Sequence, residues 1–260
     1  MLILAIDTSA AASVALVDGE RLVAARTEFA ARRHVEFIGP ALAEVLAEAP
    51  RPDAVVVGIG PGPFTGLRAG IAAGIGAALG AGVPVHGVVS HDALALRALS
   101  TPGHGGLKPA GSVAEAPTSA VPAPGTGSST APGTDSSIPV AVATDARRRE
   151  VYATVYSGLD GDGLPLVAAT PAALDPGLLA AGLREAYGEV RRVGRGFELY
   201  RDVLGGPDEA EPEALDPTAE WLARVAHRSI SSGRELPGTE PLYLREPDAK
   251  PSARRATLLT

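Results

Sequence analysis

Two aspartates follow apolar strand patterns and could together hold a metal-bound nucleotide. Asp7 ends the stretch LILAID and lies eight residues before Ala15, while Asp145 ends VAVATD and lies eight residues before Ala153. Both halves of the chain therefore begin alike, and two carboxylates across a cleft could bind the metal ion of a nucleotide. Aspartate is also common in turns, where its side chain accepts backbone hydrogen bonds. Because the second half is short and leaves little room for an adenosine pocket, we favour the turn role for both.

The sequence Ser90-His91-Asp92 could provide a nucleophile and a base. Adjacent residues at a helix start point in different directions, however, and nucleophilic catalysis needs hydrogen-bond reach within one cleft. Capping of the following helix by Ser90 and Asp92 explains the same residues. The other histidines are scattered without ligand spacing: His34, His86, His104 and His227. We therefore predict no catalytic residue and no metal ligand in this chain.

The stretch GIGPGPFTGLRAG, residues 58–70, has the glycine content of a phosphate loop. It fails the dinucleotide pattern because Pro63 stands where a third glycine is needed. It fails the P-loop pattern because no lysine follows the glycines. It predicts a stiff turn, Thr65 as N-cap, and a helix from about Gly66 to Gly80. A vestigial nucleotide or anion site would be formed by Asp7, Gly60, Gly62, Thr65, Gly66 and Asp145.

The helix after this turn carries glycine at every fourth position, at 66, 70 and 74. Each glycine costs a helix roughly 1 kcal/mol relative to alanine, so three in register indicate close approach of another backbone. Together with an amphipathic helix at 33–49, it could form half of a four-helix interface, or both helices could simply cover a sheet. The predicted interface residues are His34, Phe37, Ile38, Ala41, Leu42, Phe64, Leu67, Arg68, Gly70, Ile71, Gly74 and Ile75. Because Arg68 opposes the helix dipole, we expect an acidic group or a bound anion beside it.

Composition limits the remaining classes. The net charge of −7 disfavours unaided binding of RNA, and the absence of cysteine excludes disulfides and thiolate sites. Two arginine runs, 147–149 and 191–195, are interpreted as solvated faces. The first residues lack the basic region of a signal peptide, and residues 69–85 are too short and too rich in Ala and Gly for a membrane span. We expect a cytoplasmic protein without a membrane segment.

The spacing of apolar residues predicts an α/β chain in two units. Strands are expected at 2–7, 13–18, 21–28, 53–60 and 83–90 in the first unit, and at 190–197 and 240–245 near the end of the second. Residues 160–163, DGDG, are interpreted as a hairpin turn. The predicted organisation is a first subdomain at 1–100, a disordered Pro/Gly/Ser/Ala-rich insert at 101–138, a smaller second subdomain at 139–245, and a flexible tail at 246–260.

Several of these segments together resemble the TsaB (YeaZ) family, whose members take part in tRNA threonylcarbamoyladenosine biosynthesis. The segments are LAIDTS, SVAL, GIGPGPFTGLRAGI, DARRREVYA, VGRGF and EPLYLR. The resemblance implies an actin-like (ASKHA, ribonuclease H-like) two-domain fold with a reduced second domain. It also implies a non-catalytic paralogue of TsaD, whose metal site uses an H-x-x-x-H pair. Here the matching positions hold His91 and Ala95, so the second ligand is missing.

The resemblance implies the partners as well. A TsaD-like catalytic subunit would form a heterodimer with this chain, a TsaE-like ATPase would join it, and a homodimer could form when the partner is absent. This chain itself would need no cofactor, since ATP and metal are expected on the partner subunits and tRNA is contacted only through the complex. The alternatives are an actin-like ATP-dependent small-molecule kinase and a glycoprotease-like metallopeptidase.

Overall fold

The computed structural model describes residues 1–29, 34–49, 51–101 and 138–245, except for the side chains of residues 34 and 35. Most of the predicted insert and the whole predicted tail lie outside these ranges. The described residues form two sheets, of five and four strands.

The first sheet has the strand order β3-β2-β1-β4-β5. Its strands are β1 (Leu2–Asp7), β2 (Ala12–Asp18), β3 (Arg21–Glu28), β4 (Ala54–Gly58) and β5 (Val85–Val88), and its first helices are α1 (His34–Glu48), α2 (Phe64–Ala81) and α3 (Ser90–Ser100). The first three strands form an antiparallel meander, and β4 and β5 continue the sheet in parallel beside β1. The near-continuous apolar runs of β1 and β4 are explained by burial on both faces of the sheet.

The second sheet repeats this pattern with one strand fewer, in the order β8-β7-β6-β9. Its strands are β6 (Val140–Asp145), β7 (Val151–Leu159), β8 (Pro165–Leu174) and β9 (Arg191–Val193), and the later helices are α4 (Pro176–Ala186), α5 (Arg195–Leu199), α6 (Arg201–Leu204), α7 (Pro212–Leu215) and α8 (Ala219–Ser231). Strand β6 has an antiparallel neighbour in β7 and a parallel neighbour in β9, as β1 has in β2 and β4. The predicted DGDG hairpin turn joins β7 to β8 and is confirmed.

Two predicted strands are wrong. Only Arg191–Val193 of the stretch 190–197 is a strand, because Gly194 turns the chain at φ +105° and α5 begins at Arg195. Residues 240–245 contain no strand. The chain from Pro237 to Leu242 instead runs along the edge of the first sheet. There the N–H of Gly87 donates to the carbonyl of Pro237 at 2.8 Å, and the N–H of Leu242 donates to that of Ile59 at 2.8 Å.

Helix α8 returns to the first sheet. Its side chains Leu222 and Ala226 are fully buried against Ile3 and Ala5 of β1. The sequence placed this helix in the second subdomain, up to residue 245. In space, therefore, the second subdomain ends before α8, and the first is closed by the far end of the described chain.

Among the described residues, α2 is the one helix long and apolar enough to cross a membrane, with a mean hydropathy of 1.3 over 18 residues. Helices packed in globular proteins meet the same criterion. One face of α2 lies on the first sheet, and 28% of its residues are buried. The outer face is therefore exposed in a single chain.

Candidate functional site

Asp7 lies at the tip of β1 and is fully buried. Its Oδ1 accepts hydrogen bonds from the N–H of Ser9 at 2.8 Å and from the Ser9 hydroxyl at 2.7 Å. Its Oδ2 accepts one from the hydroxyl of Ser90, the first residue of α3, at 2.6 Å. A Cβ on Gly58 of β4 would lie 1.9 Å from Oδ2, so position 58 of this neighbouring strand requires glycine. The carboxylate is enclosed by its own chain.

Burial raises the pKa of Asp7 above its ordinary value. The hydrogen bonds from Ser9 and Ser90 act in the opposite direction, and the nearby charge of Asp216 raises the pKa further. A carboxylate in this position is poorly suited to hold a solvated metal ion, because it has neither access nor an oxygen without a donor.

Three glycines of the predicted anion site pack around the same tip. Gly60 donates its N–H to the Ser90 hydroxyl at 3.2 Å, and a Cβ on Gly62 would lie 2.6 Å from the carbonyl oxygen of Ser9. The carbonyl of Gly66 accepts a hydrogen bond from the Thr8 hydroxyl at 2.7 Å. These glycines thus permit close packing of the turn onto β1, and their contacts within the chain occupy the predicted anion site.

Thr65 is not the N-cap of α2. The helix begins at Phe64, Pro63 occupies the cap position, and no side chain accepts a cap hydrogen bond there. Thr65 is exposed in the first turn instead. The fixed φ of proline suits the start of a helix without a capping side chain.

Asp145, at the tip of β6, has the opposite environment. Its side chain is 24% exposed, and its Oδ1 accepts the N–H of Arg147 at 2.7 Å. The Arg147 guanidinium also pairs with Oδ2 at 3.1 Å. The bond from the N–H two residues ahead is the same one that Ser9 makes to Asp7, so both aspartates fill the turn role favoured by the sequence.

The turn after Asp145 has an uncommon backbone. Arg147, Arg148 and Arg149 all have positive φ, at 61°, 53° and 63°. A non-glycine residue in this region costs on the order of 1 kcal/mol. All three side chains are exposed, as the solvated interpretation expects.

The second arginine run does not follow that interpretation. Arg195 donates through Nε to both oxygens of Asp216, at 2.9 and 3.1 Å, and through NH2 to Oδ2. Asp216 is only 1% exposed, and its hydrogen bond raises the pKa of Arg195. Asp216 lies two residues before Thr218, the N-cap position of α8, and no local pattern connects it to an arginine 21 residues away. Arg191 is also engaged, in an ion pair with Glu209 that Arg97 joins at 2.8 Å.

Ser90, His91 and Asp92 point to three different groups. The Ser90 hydroxyl donates to Asp7 from inside α3, so Ser90 is not a cap. His91 is fully buried, with Nδ1 2.7 Å from the Thr154 hydroxyl and Nε2 2.8 Å from that of Thr144, and burial lowers its pKa to about 3. A neutral imidazole thus joins α3 to β6 and β7.

Asp92 makes a second polar contact between α3 and β7. It accepts the Tyr156 hydroxyl at 2.6 Å, and its pKa is raised to about 6 by burial, against the effect of that hydrogen bond. The described residues contain no group of three His, Asp or Glu side chains that could hold a metal ion.

Gly70 and Gly74 of α2 face the first sheet and the tip of β1 in their own chain. A Cβ on Gly70 would lie 2.2 Å from Oγ1 of Thr8, and one on Gly74 would lie 2.1 Å from Cγ1 of Val57. Their close backbone approach is therefore intramolecular. Six predicted interface residues are buried within the chain itself: Ile38, Ala41, Leu67, Gly70, Ile71 and Gly74.

The outer face of α2 carries three of the other predicted interface residues, Phe64, Arg68 and Ile75, together with Leu79, which was not predicted. Phe64, Arg68, Ile75 and Leu79 recur at spacings of four, seven and four residues, which places them on one stripe. Phe64 is 38% exposed and Leu79 78%, while Ile75 is half-buried. Phe37 and Leu42 of α1 are also half-buried, and the side chain of His34 lies outside the described residues.

In the part of the chain that the structure describes, Arg68 contacts aromatic groups and no carboxylate. Its guanidinium carbon lies 3.7 Å from the centre of the Phe64 ring, and its Nε donates to the Tyr243 hydroxyl at 2.8 Å. The rings of Phe64 and Tyr243 stack with centres 5.0 Å apart. Within the described residues, this cluster stands where an acidic neighbour of Arg68 was expected, and no local pattern predicts it because Tyr243 is 175 residues away. We name Phe64, Arg68, Ile75, Leu79 and Tyr243 the α2 outer face.

Comparisons with known proteins agree with this architecture. The family model of TsaD, tRNA N6-adenosine threonylcarbamoyltransferase, matches residues 26–121. An uncharacterized protein of Mycobacterium tuberculosis (strain ATCC 25618 / H37Rv) is 33% identical over 96% of this chain and 95% of its own length. The tRNA threonylcarbamoyladenosine biosynthesis protein TsaB of Escherichia coli is 29% identical over 94% and 95%.

Solved structures agree with the fold. YeaZ from Pseudomonas aeruginosa superposes with a TM-score of 0.64 at 29% identity, covering 94% of this chain and 99% of that one. A second Pseudomonas aeruginosa structure, of a protein with similarity to peptidase YEAZ, gives 0.66 with the same identity and coverage. The predicted two-domain α/β fold of the actin-like class is confirmed, and by sequence and by fold this chain belongs to the TsaB (YeaZ) family.

Proposed function

We propose that this chain is the non-catalytic subunit that binds and activates a TsaD-like catalytic subunit in the formation of N6-threonylcarbamoyladenosine beside the anticodon of tRNAs reading codons that begin with A. Membership of the TsaB family supports a role in threonylcarbamoyladenosine biosynthesis, because the Escherichia coli relative is named for it. The match to the TsaD family model supports a paralogous partner of similar fold.

The enclosure of Asp7 is the observation that carries the non-catalytic assignment. In an actin-like cleft, a nucleotide-bound metal ion needs an accessible carboxylate at the tip of the first strand. Here that carboxylate is fully buried, and donors from Ser9 and Ser90 occupy both of its oxygens. This geometry disfavours a small-molecule kinase working in the same cleft. ATP and metal would then act on the partner subunits, including a TsaE-like ATPase.

The α2 outer face supports the binding role. Aromatic and arginine side chains dominate the binding energy of protein interfaces, and this face offers Phe64, Arg68 and Tyr243 already ordered against one another. Ile75 and the 78% exposed Leu79 continue an apolar surface along the same stripe. A catalytic subunit would cover this face, and a second copy of the chain could cover it when the partner is absent.

The net charge of −7 fits contact with tRNA through the complex, since an acidic chain binds a polyanion poorly by itself. Its proposed place is the cytoplasm, with the tRNA it would help to modify.

The test combines co-purification with a modification assay. Leu79→Glu places a charge in the proposed interface and should weaken association with the catalytic subunit by about 30-fold or more, which reduces tRNA modification in parallel. The matched control is Leu178→Glu on α4, where the leucine is 65% exposed on another helix. It should leave association unchanged.

Two results would contradict the proposal at different levels. Modification that proceeds equally well without this chain would remove the activating role altogether. Equal affinities for the Leu79→Glu and wild-type chains would move the interface elsewhere. Calorimetry with Mg-ATP adds a separate check, since micromolar binding and turnover by this chain alone would favour a kinase.

A further inference from the structure

The turn between β6 and β7 presents three consecutive arginines to solvent. Arg147, Arg148 and Arg149 are all exposed, and all three lie in the left-handed region of backbone conformation. Side-chain-bearing residues persist in this region only where surrounding contacts hold them. We name residues 147–149 the arginine turn.

Several contacts hold the backbone of the arginine turn. The N–H of Arg147 donates to Oδ1 of Asp145 at 2.7 Å, and the N–H of Glu150 donates to the carbonyl of Arg147 at 2.9 Å. From the last described segment, Arg245 donates to the carbonyl of Ala146 at 2.9 Å and forms an ion pair with Glu150. The three side chains therefore extend from a backbone that these contacts hold in place.

The carboxylates beside the turn are already paired. Asp145 pairs with Arg147, and Glu150 pairs with Arg245. Arg148 also has a partner, so its charge is not counted as free. Within the described part of the chain, Arg149 has no hydrogen bond or ion pair, and its charge acts on Tyr200. Arg149 thus leaves the turn locally positive on a chain whose net charge is −7.

The charges of the turn act electrostatically on an aromatic side chain, Tyr200. Burial is the main cause that raises the pKa of Tyr200; the charge of Asp145 raises it further, and the charge of Arg149 lowers it. Tyr200 is half-buried, so part of it faces solvent. Guanidinium groups bind phosphate oxygens, and an adjacent aromatic ring can stack on an unpaired base. This combination fits a looped RNA better than an acidic peptide, which has no base to stack.

We propose that the arginine turn contacts the phosphate backbone of tRNA, next to an unpaired loop, when this chain is bound to its catalytic partner. The inference rests on the proposed function, because the partner must supply the main RNA-binding surface to an acidic subunit. The turn adds local contacts that position the substrate. Nothing in this role requires the chain to bind RNA tightly alone.

The test uses two double variants in the complex with the catalytic subunit. Arg148→Asn with Arg149→Asn removes two charges while keeping residues that tolerate the left-handed region. It should weaken tRNA binding about 10-fold and lower the slope of log affinity against log salt by roughly 1.4 to 1.8. Arg148→Lys with Arg149→Lys keeps the charges and should retain most of the affinity and of the slope.

The charge-matched control is Arg21→Gln with Arg184→Gln, two exposed arginines on β3 and α4. It should leave both the affinity and the salt slope unchanged. The association of the two protein subunits is measured in parallel, so that a loss of RNA binding is not confused with loss of the complex.

Unchanged tRNA affinity of the asparagine variant in an intact complex would overturn the inference and leave the proposed function standing. A weakened protein complex with unchanged RNA binding would assign the turn to a protein partner and overturn it as well. If wild type forms no complex, the chain alone is tested at low salt with an anticodon stem-loop RNA. Equal or absent binding by wild type and the asparagine variant would then overturn it.

Discussion

The tips of β1 and β6 begin with the same local design and end in opposite environments. Both aspartates accept a hydrogen bond from the N–H two residues ahead. Asp7 is followed by Thr8 and Ser9, which Gly70 and Gly62 approach closely, and its carboxylate is buried against Gly58 and Ser90. Asp145 is followed by arginines that remain at the surface. The repeated strand and turn therefore determine only where each aspartate lies. The residues that follow determine whether its carboxylate is buried or exposed to solvent.

The largest expected effect on stability is at the tip of β1, where Asp7 is buried (the sealed tip). Gly58→Ala puts a Cβ 1.9 Å from Oδ2 of Asp7 and 2.8 Å from the Ser90 hydroxyl, in a region without space to relax. We expect the free energy of unfolding to fall by about 3 kcal/mol, measured by urea denaturation. The control, Gly182→Ala in α4, meets nothing within 4 Å and should stabilise the chain by about 0.5–1 kcal/mol. A small effect of Gly58→Ala would mean that the first tip is as open as the second.

Removing a donor from the sealed tip should have an intermediate effect. Ser90→Ala leaves Oδ2 of the buried Asp7 without its hydrogen bond and deprives the Gly60 N–H of an acceptor. The expected loss is about 2 kcal/mol in the same measurement, because buried polar atoms without partners are costly. Ser231→Ala, at an exposed position on α8, should change stability by less than about 0.5 kcal/mol. Equal losses in the two variants would show that the tip does not depend on this bond.

The smallest effect on stability, and the one with opposite sign, is expected in the turn after β6, where the arginines are exposed (the open tip). Arg149→Gly relieves a φ of 63° and removes a side chain without an ion pair in the described chain, so stability should rise by about 0.5 kcal/mol. Arg184→Gly, in α4, is the control and should cost about 0.5–1 kcal/mol. If Arg149→Gly destabilises the chain to the same extent, the turn is not strained.

Sequence patterns predicted the regular elements well where the pattern was local. The bounds expected for β1 and β3, 2–7 and 21–28, are those observed, and the amphipathic helix at 33–49 is α1, His34–Glu48. Alternation and helical periodicity arise from contacts within each element, so a single sequence contains them. The strand expected at 190–197 was wrong beyond Val193, because apolar residues scattered among arginines and glycines do not distinguish a short strand followed by a helix from one longer strand.

The site was predicted less well, because its contacts join distant parts of the chain. The glycines of α2 were correctly taken to permit close approach, but the sequence could not say whether the neighbour was a partner or the chain's own sheet. Two contacts, of Arg68 with Tyr243 and of Arg195 with Asp216, depend on the path that the chain takes after the second sheet. Neither pair leaves a periodic signal in the sequence.

The return of α8 to the first sheet also constrains the order in which the molecule can fold during synthesis. The strands of the first sheet are complete by Val88, yet the side chains that cover Ile3 and Ala5 come from Leu222 and Ala226. One apolar face of the earliest sheet thus stays uncovered until almost the whole described chain has left the ribosome. Slow synthesis or a stall before α8 would leave that face open to aggregation, so chaperone binding to nascent chains should concentrate on lengths that end before Ala219.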